Sequence, residues 1–125
     1  MNKSHHHVVY FEIPVNDLDR AMNFYQLVFG FEFEQDIIED NEMAFFSLDG
    51  GDNGMSGALA KGEIYKPTNN GVLIYFFTEN IDETLKRAIS NGGKTLFPKT
   101  FNEGWGFVAE FEDTEGNRIA LKQPL

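Results

Sequence analysis

From His7 to Val15 apolar and polar side chains alternate, with Val9, Phe11, Ile13 and Val15 on one face and Tyr10, Glu12 and Pro14 on the other. That period of two predicts a strand with one buried face. The spacing then changes. Leu18, Met22, Tyr25 and Phe29 recur at helical intervals with Ala21 beside them, the stripe of a helix packed on one side. Asp17 stands at its N-cap position, and Gly30 stands where a left-handed residue would end it. Strands are predicted over Phe31–Ile38, Glu42–Leu48 and Met55–Lys61. The last two are joined by a segment containing Asp49-Gly50 and Asn53-Gly54, which are strong hairpin signals.

The order then repeats. Val72 to Phe77 reads as a strand, and Asn80 caps a helix whose apolar stripe is Ile81, Leu85, Ala88 and Ile89. Glu83, three residues after Asn80, predicts a reciprocal capping box. Gly92 and Gly93 end the helix, and shorter strands are expected over Lys94–Phe97, Trp105–Glu112 and Asn117–Lys122, with the turn EDTEGN before the last. The copies align at an offset of 63, Leu18 meeting Ile81, Asp19 meeting Asp82 and Gly30 meeting Gly93. Near the ends the offset slips to 61, Asn41 meeting Asn102 and Ala58 meeting Ile119. The chain is therefore read as one α+β domain of two βαβββ modules, module one over 7–61 and module two over 71–123, with the polar stretch 62–70 as linker. A half of about 60 residues buries its core poorly alone. Two halves with sheets side by side would enclose a half-open, mixed-sheet cleft.

Composition narrows what that cleft can serve. An apolar content of 42% with thirteen Phe fits a packed globule. No apolar run reaches the roughly 18–20 residues needed to span a bilayer, so no membrane partner is expected. The first residues lack an apolar signal region, which makes the cytoplasm the expected location. Having no Cys excludes disulfides, thiolate metal sites and cysteine nucleophiles. A net charge of −10 argues against nucleic acid, whose phosphates demand basic surfaces. The same charge suits a cationic ligand, and it also suits plain solubility.

The stretches VNDLDRAMNFYQLVFGF (15–31) and FEDTEGNRIAL (111–121), set within paired βαβββ modules, resemble the vicinal oxygen chelate superfamily. That superfamily comprises the glyoxalases, bleomycin resistance proteins and extradiol dioxygenases, and the chain is similar to its small bacterial glyoxalase-related members. The resemblance implies a cleft between modules, often completed by a homodimer. In the family's enzymes it implies four His, Glu or Gln ligands, from the first and last strands of each module, around a divalent metal. The metal holds two adjacent substrate oxygens as a Lewis acid. Carried over, the four positions are Tyr10, Leu59, Leu73 and Ala120. Three carry no donor and a neutral phenol is a poor ligand. The flanking Ala58, Ala60, Val72, Ile74, Ile119 and Leu121 are all apolar. No metal and no other cofactor is therefore expected.

Other candidates surround those positions. Glu12 shares a strand face with Tyr10 and is a weak candidate for a base or a cation anchor. Tyr75 and Phe77, the repeat partners of Glu12 and Pro14, would with Tyr10 give the cleft an aromatic wall, and Trp105, in a glycine-flanked turn, would reach over it. Glu110 and Glu112 alternate with Phe111 and make one face of their strand acidic. His5, His6 and His7 are consecutive and cannot all point one way in a strand, so they read as a terminus or a tag remnant. No nucleophile elbow, phosphate-binding glycine loop or dinucleotide fingerprint is present. The expected protein binds a small cationic or aromatic molecule in a cleft lined by Tyr10, Glu12, Leu59, Leu73, Tyr75, Trp105, Glu110 and Ala120, with a degenerate metal site. The alternatives are a lactoylglutathione lyase-like or dioxygenase-like enzyme, and a subunit that binds a protein partner.

Overall fold

A computed structural model describes residues 7–47 and 56–125. Module one runs β1 (Phe11–Pro14), α1 (Leu18–Phe29), β2 (Glu32–Ile38), β3 (Asn41–Ser47) and β4 (Gly57–Lys61). Module two runs β5 (Ile74–Phe77), α2 (Ile81–Ser90), β6 (Lys94–Asn102), β7 (Gly106–Glu112) and β8 (Arg118–Gln123). Each module folds its strands into one mixed sheet, ordered β1-β4-β3-β2 in the first and β5-β8-β7-β6 in the second. The first and last strands of each module pair in parallel, and the other pairs are antiparallel. The sheets are not closed on one another. Among the described residues no helix is long and apolar enough to cross a membrane.

Local chemistry sets the helix ends. The Asp17 carboxylate accepts from the Arg20 N–H, and Gly30 closes α1 at φ 80 with its own N–H on the Gln26 carbonyl. Asn80 caps α2 through the Glu83 N–H. The expected reciprocal bond from Glu83 is replaced, because the Asn80 N–H is already taken by Thr78 Oγ1. Strand bounds differ from expectation where ladders end. β1 starts at Phe11, not His7, because its partner β4 begins at Gly57. β5 starts at Ile74 for the same reason, its ladder with β8 opening at Ile119. β6 continues past Phe97 and through Pro98 to Asn102. It can do so because it is an edge strand, with register shifts between Thr95 and Phe97 and between Phe97 and Thr100, the second spanning Pro98, and an edge tolerates the missing N–H. The expected strand ends at Leu48 and Met55, and the hairpin turn between them, lie outside the described residues.

The modules meet through their helical faces. Phe76 of β5 packs against Phe11, Tyr25, Phe29, Phe31 and Phe46 of module one, with ring centroids 5.1–6.3 Å apart. Phe24 of α1 lies 5.9 Å from Phe111 of β7. Alternation along the strands leaves Tyr10, Glu12, Tyr75 and Phe77 on the opposite, outer faces.

Two polar clusters lock this union. The buried Glu115 carboxylate accepts from the backbone N–H groups of Asn16 and Asp17, at 2.9 and 3.0 Å, just ahead of α1. Arg20 grips it with Nε at 2.8 Å and Nη2 at 3.1 Å, and Thr114 Oγ1 adds a fifth donor. Burial alone would push this carboxyl up. The bonds from Arg20, Asp17, Asn16 and Thr114 together outweigh burial and hold it below the ordinary carboxylate range. Beside it, Asp113 takes the buried Tyr25 hydroxyl at 2.7 Å, and Asn117 donates to the Pro14 carbonyl at 2.7 Å. Burial pushes the Asp113 carboxyl up in spite of its hydrogen bonds, and burial, then the Asp113 charge, keeps Tyr25 protonated.

Glu115→Gln should destabilise the fold by about 2–3 kcal/mol at neutral pH, the scale for losing buried charge-assisted bonds. A depressed folded-state value gives stability that is complete above the unfolded carboxyl value and fades as pH falls through the folded one. In chemical denaturation the gap between wild type and Glu115→Gln should therefore be full above the usual 4.5 and shrink below it. A gap unchanged down to pH 3 would refute this role.

Candidate functional site

A groove of about 590 Å³ runs between β1 and the approach to β5 and β8. Val8, Tyr10, Pro14, Val72, Leu73 and Ile74 make it largely apolar, and Glu12 and Arg118 bring charge to it. It exists because Asn117, at the start of β8, binds the Pro14 carbonyl on one side and the Thr68 N–H on the other. One side chain thus holds the end of β1 near the chain entering β5.

Glu12 is the polar centre of this groove. Its carboxylate accepts from the Tyr10 hydroxyl at 2.9 Å and from the Tyr65 hydroxyl at 2.7 Å. Tyr65 comes from the segment expected to be a plain linker. The segment doubles back at Gly62, whose carbonyl takes the Tyr65 N–H, and Tyr65 packs on Met43, Ala58 and Ala60 of the outer face. Burial, then the hydrogen bond and charge of Glu12, push the Tyr10 phenol up to about 12. The Glu12 hydrogen bond, then burial, raise Tyr65 too. Both phenols stay protonated at physiological pH and donate to one carboxylate. The result is a negative charge set among aromatic rings and hydrocarbon, an arrangement able to hold an organic cation.

The corresponding face of module two carries Tyr75 and Trp105, which are 44% and 43% exposed and meet edge-to-face at 5.3 Å. Lys122 of β8 sits over the Trp105 ring with Nζ 3.9 Å from its centroid. Glu110 also lies on this outer face, opposite Ala120. Its charge is taken by Arg118 at 2.6 Å, and Glu112 lies 3.9 Å from Lys94. The acidic strand face therefore does not present free negative charge. Tyr65, Arg118 and Lys122 were not singled out by sequence reasoning. Tyr65 looked like part of a polar connector, and the pairing of Arg118 becomes visible only with the β7–β8 register.

The resemblance carries the family's ligand positions to Tyr10, Leu59, Leu73 and Ala120, and the strand register moves one of them. Tyr10 and Leu73 occupy equivalent places just ahead of β1 and β5, and both line the groove. Ala120 lies opposite Tyr75, while the residue opposite Glu12 is Ala58. The offset between the last strands is thus 62, not 61. Leu59 faces the helices instead, fully buried in the shared core beside Ile13. One phenol and three hydrocarbon side chains form a donor set unsuited to a divalent ion, with Ala58 as with Leu59. Among the described residues no three His, Asp or Glu side chains gather closely enough to hold one. Of the histidine run, His7 is exposed ahead of β1, and His5 and His6 lie outside the described residues.

Comparison with known proteins agrees with this architecture. A "Glyoxylase-like domain-containing protein" of Didymella fabae is 29% identical over 114 residues, covering 88% of each chain. Among solved structures, the glyoxylase/bleomycin resistance protein/dioxygenase domain from Frankia sp. EAN1pec superposes with a TM-score of 0.75 at 17% identity, over 98% of this chain and all of that one. TnmS3, an antibiotic binding protein from Streptomyces sp. CB03234, gives 0.67 at 25% identity over 99% of this chain and 100% of its own. A glyoxalase I variant from Zea mays gives 0.71 at 20% identity over 92% of this chain, which spans 46% of that one. The model of the Glyoxalase/Bleomycin resistance protein/Dioxygenase superfamily matches residues 5–121, and the chain belongs to that superfamily.

Proposed function

We propose that this chain is a small-molecule-binding member of its superfamily, which takes an aromatic or apolar cation into its groove without a metal. The observation that carries this reading is the Glu12 carboxylate held by two phenols. One of them, Tyr10, stands where the family's enzymes place a metal ligand. A carboxylate with fixed donors on both oxygens is oriented before any ligand arrives, so little ordering cost falls on binding. The net charge of −10 adds attraction for cations at a distance. The likeness to an antibiotic binding protein over the full chain supports binding over turnover. The glyoxalase I likeness, at 20% identity, supports the fold alone.

The working form in this reading is a homodimer. Phe77 on the outer face of module two is 65% exposed. A second copy laid across Phe77 would bury it and turn an open groove into a walled cleft. Sedimentation velocity should then report a dimer, and Phe77→Glu should shift it towards monomer. A wild-type chain that is monomeric throughout the micromolar range would refute the dimer.

Two measurements test the anchor. In calorimetry 1-naphthylmethylammonium should bind about tenfold more tightly than neutral 1-naphthylmethanol, and Glu12→Gln should erase that difference, the scale of one charged contact. Equal binding of cation and alcohol by the wild type would refute the anchor. In ultraviolet titration Tyr10 should ionise near 12. In Glu12→Gln its value should fall part of the way towards 10, because the carboxylate that opposes the phenolate is gone while burial, the larger cause, remains. A Tyr10 titration unmoved by this substitution would contradict the geometry.

A further inference from the structure

Lys122 is placed differently from the chain's other cations. Lys and Arg number ten against twenty Asp and Glu. Among the described residues Arg20, Lys61, Lys94, Lys99 and Arg118 each pair with a carboxylate. Lys122 pairs with none, nor do Lys66, Lys86 and Arg87, but of these four Lys122 alone lies over an aromatic ring. Its strand neighbours are Phe77 on β5 and Val108 on β7, both apolar, and its ammonium rests on the Trp105 ring. The ring's quadrupole holds one side of the ammonium. An ammonium offers three donors, so the ring on one side leaves donors for another acceptor.

Trp105 is itself held in place. Its backbone N–H donates to the Asn102 carbonyl at 3.0 Å, and the flanking Gly104 and Gly106 take φ values of 81 and 110, a conformation that favours glycine. A Cβ at Gly106 would strike the backbone of Gln123 at the end of β8. The turn is thus pressed against the strand that carries Lys122, and Tyr75 stands edge-on to the indole. The repeat isolates the feature. The module-one equivalent of Lys122 is Ala60, which pairs with Pro14 as Lys122 pairs with Phe77, and Ala60 is buried under Tyr65 and Met43.

We propose that the Tyr75–Trp105–Lys122 face is an anion-accepting site for a planar aromatic carboxylate. The ligand's ring lies against the exposed surfaces of Trp105 and Tyr75, and its carboxylate takes donors of the Lys122 ammonium. The site goes beyond the cation site at Glu12 and uses none of its residues, so either can fail alone.

Trp105 is the chain's one tryptophan, and its indole N–H cross-peak in a ¹H–¹⁵N spectrum reports on this face directly. Titration with 1-naphthoate should move that peak saturably. Neutral 1-naphthamide should bind about tenfold more weakly, the scale of a lost charged hydrogen bond. Lys122→Gln should weaken naphthoate by a similar factor and Lys122→Arg should retain it. Lys86→Gln, which removes an exposed charge on α2, should leave naphthoate affinity within about twofold, since a distant exposed charge is screened. An indole peak that naphthoate does not move, or naphthamide binding as tight as naphthoate to the wild type, would overturn the site whether or not the variants fold. Equal loss in Lys122→Gln and Lys86→Gln would assign the effect to net charge and also overturn it.

Discussion

The Glu115 carboxylate is the constraint on which the rest of the arrangement depends. It sits in the last turn of module two and is held by the residues just ahead of α1 in module one. Its burial is costly unless every acceptor site is filled, and Arg20, Thr114 and two backbone N–H groups fill them. Next to it, the Tyr25–Asp113–Asn117 chain reaches the Pro14 carbonyl at the end of β1. The segments that build the groove are therefore fixed relative to each other by polar bonds of defined direction. The aromatic core supplies most of the cohesion between modules, but apolar packing is non-directional and would tolerate small rotations that these bonds do not.

Duplication explains why a clasp between modules is needed, and its imperfections are where the chemistry lies. The two modules share a fold and a pairing pattern, yet Glu12 on one outer face is matched by Tyr75 on the other. Ala60 is likewise matched by Lys122. A symmetric ancestor of the pattern would present two similar walls. This chain presents one wall centred on a carboxylate between phenols and another centred on an ammonium over an indole. The segment 62–70 deepens the asymmetry by sending Tyr65 back over module one.

Much of this was legible along the chain. Helix starts at Leu18 and Ile81 and the caps at Asp17 and Asn80 follow from local rules, and the repeat itself dictated the module order. The shared face of Tyr10 and Glu12 follows from alternation, and Leu73 follows from the repeat offset of 63. Leu59 was misplaced, because an offset read from short similarities slipped by one residue, and in a strand one residue reverses the face. The length of β6 was missed because Pro98 argues against a strand unless the strand is known to be an edge. Tyr65 was missed because a returning connector leaves no periodic trace. The pairing of Glu110 with Arg118 depends on which residues of two strands stand opposite, which sequence distance alone does not reveal.

The proposed binding mode, which uses no metal, rests on the phenol-held carboxylate of Glu12. The direct test is elemental analysis of protein purified without a metal-affinity column, paired with 1-naphthylmethylammonium binding before and after EDTA. Metal-free binding requires well under one equivalent of any divalent metal and an affinity that EDTA leaves unchanged. A near-stoichiometric Zn, Ni, Mn or Fe content that EDTA removes together with ligand binding would contradict it.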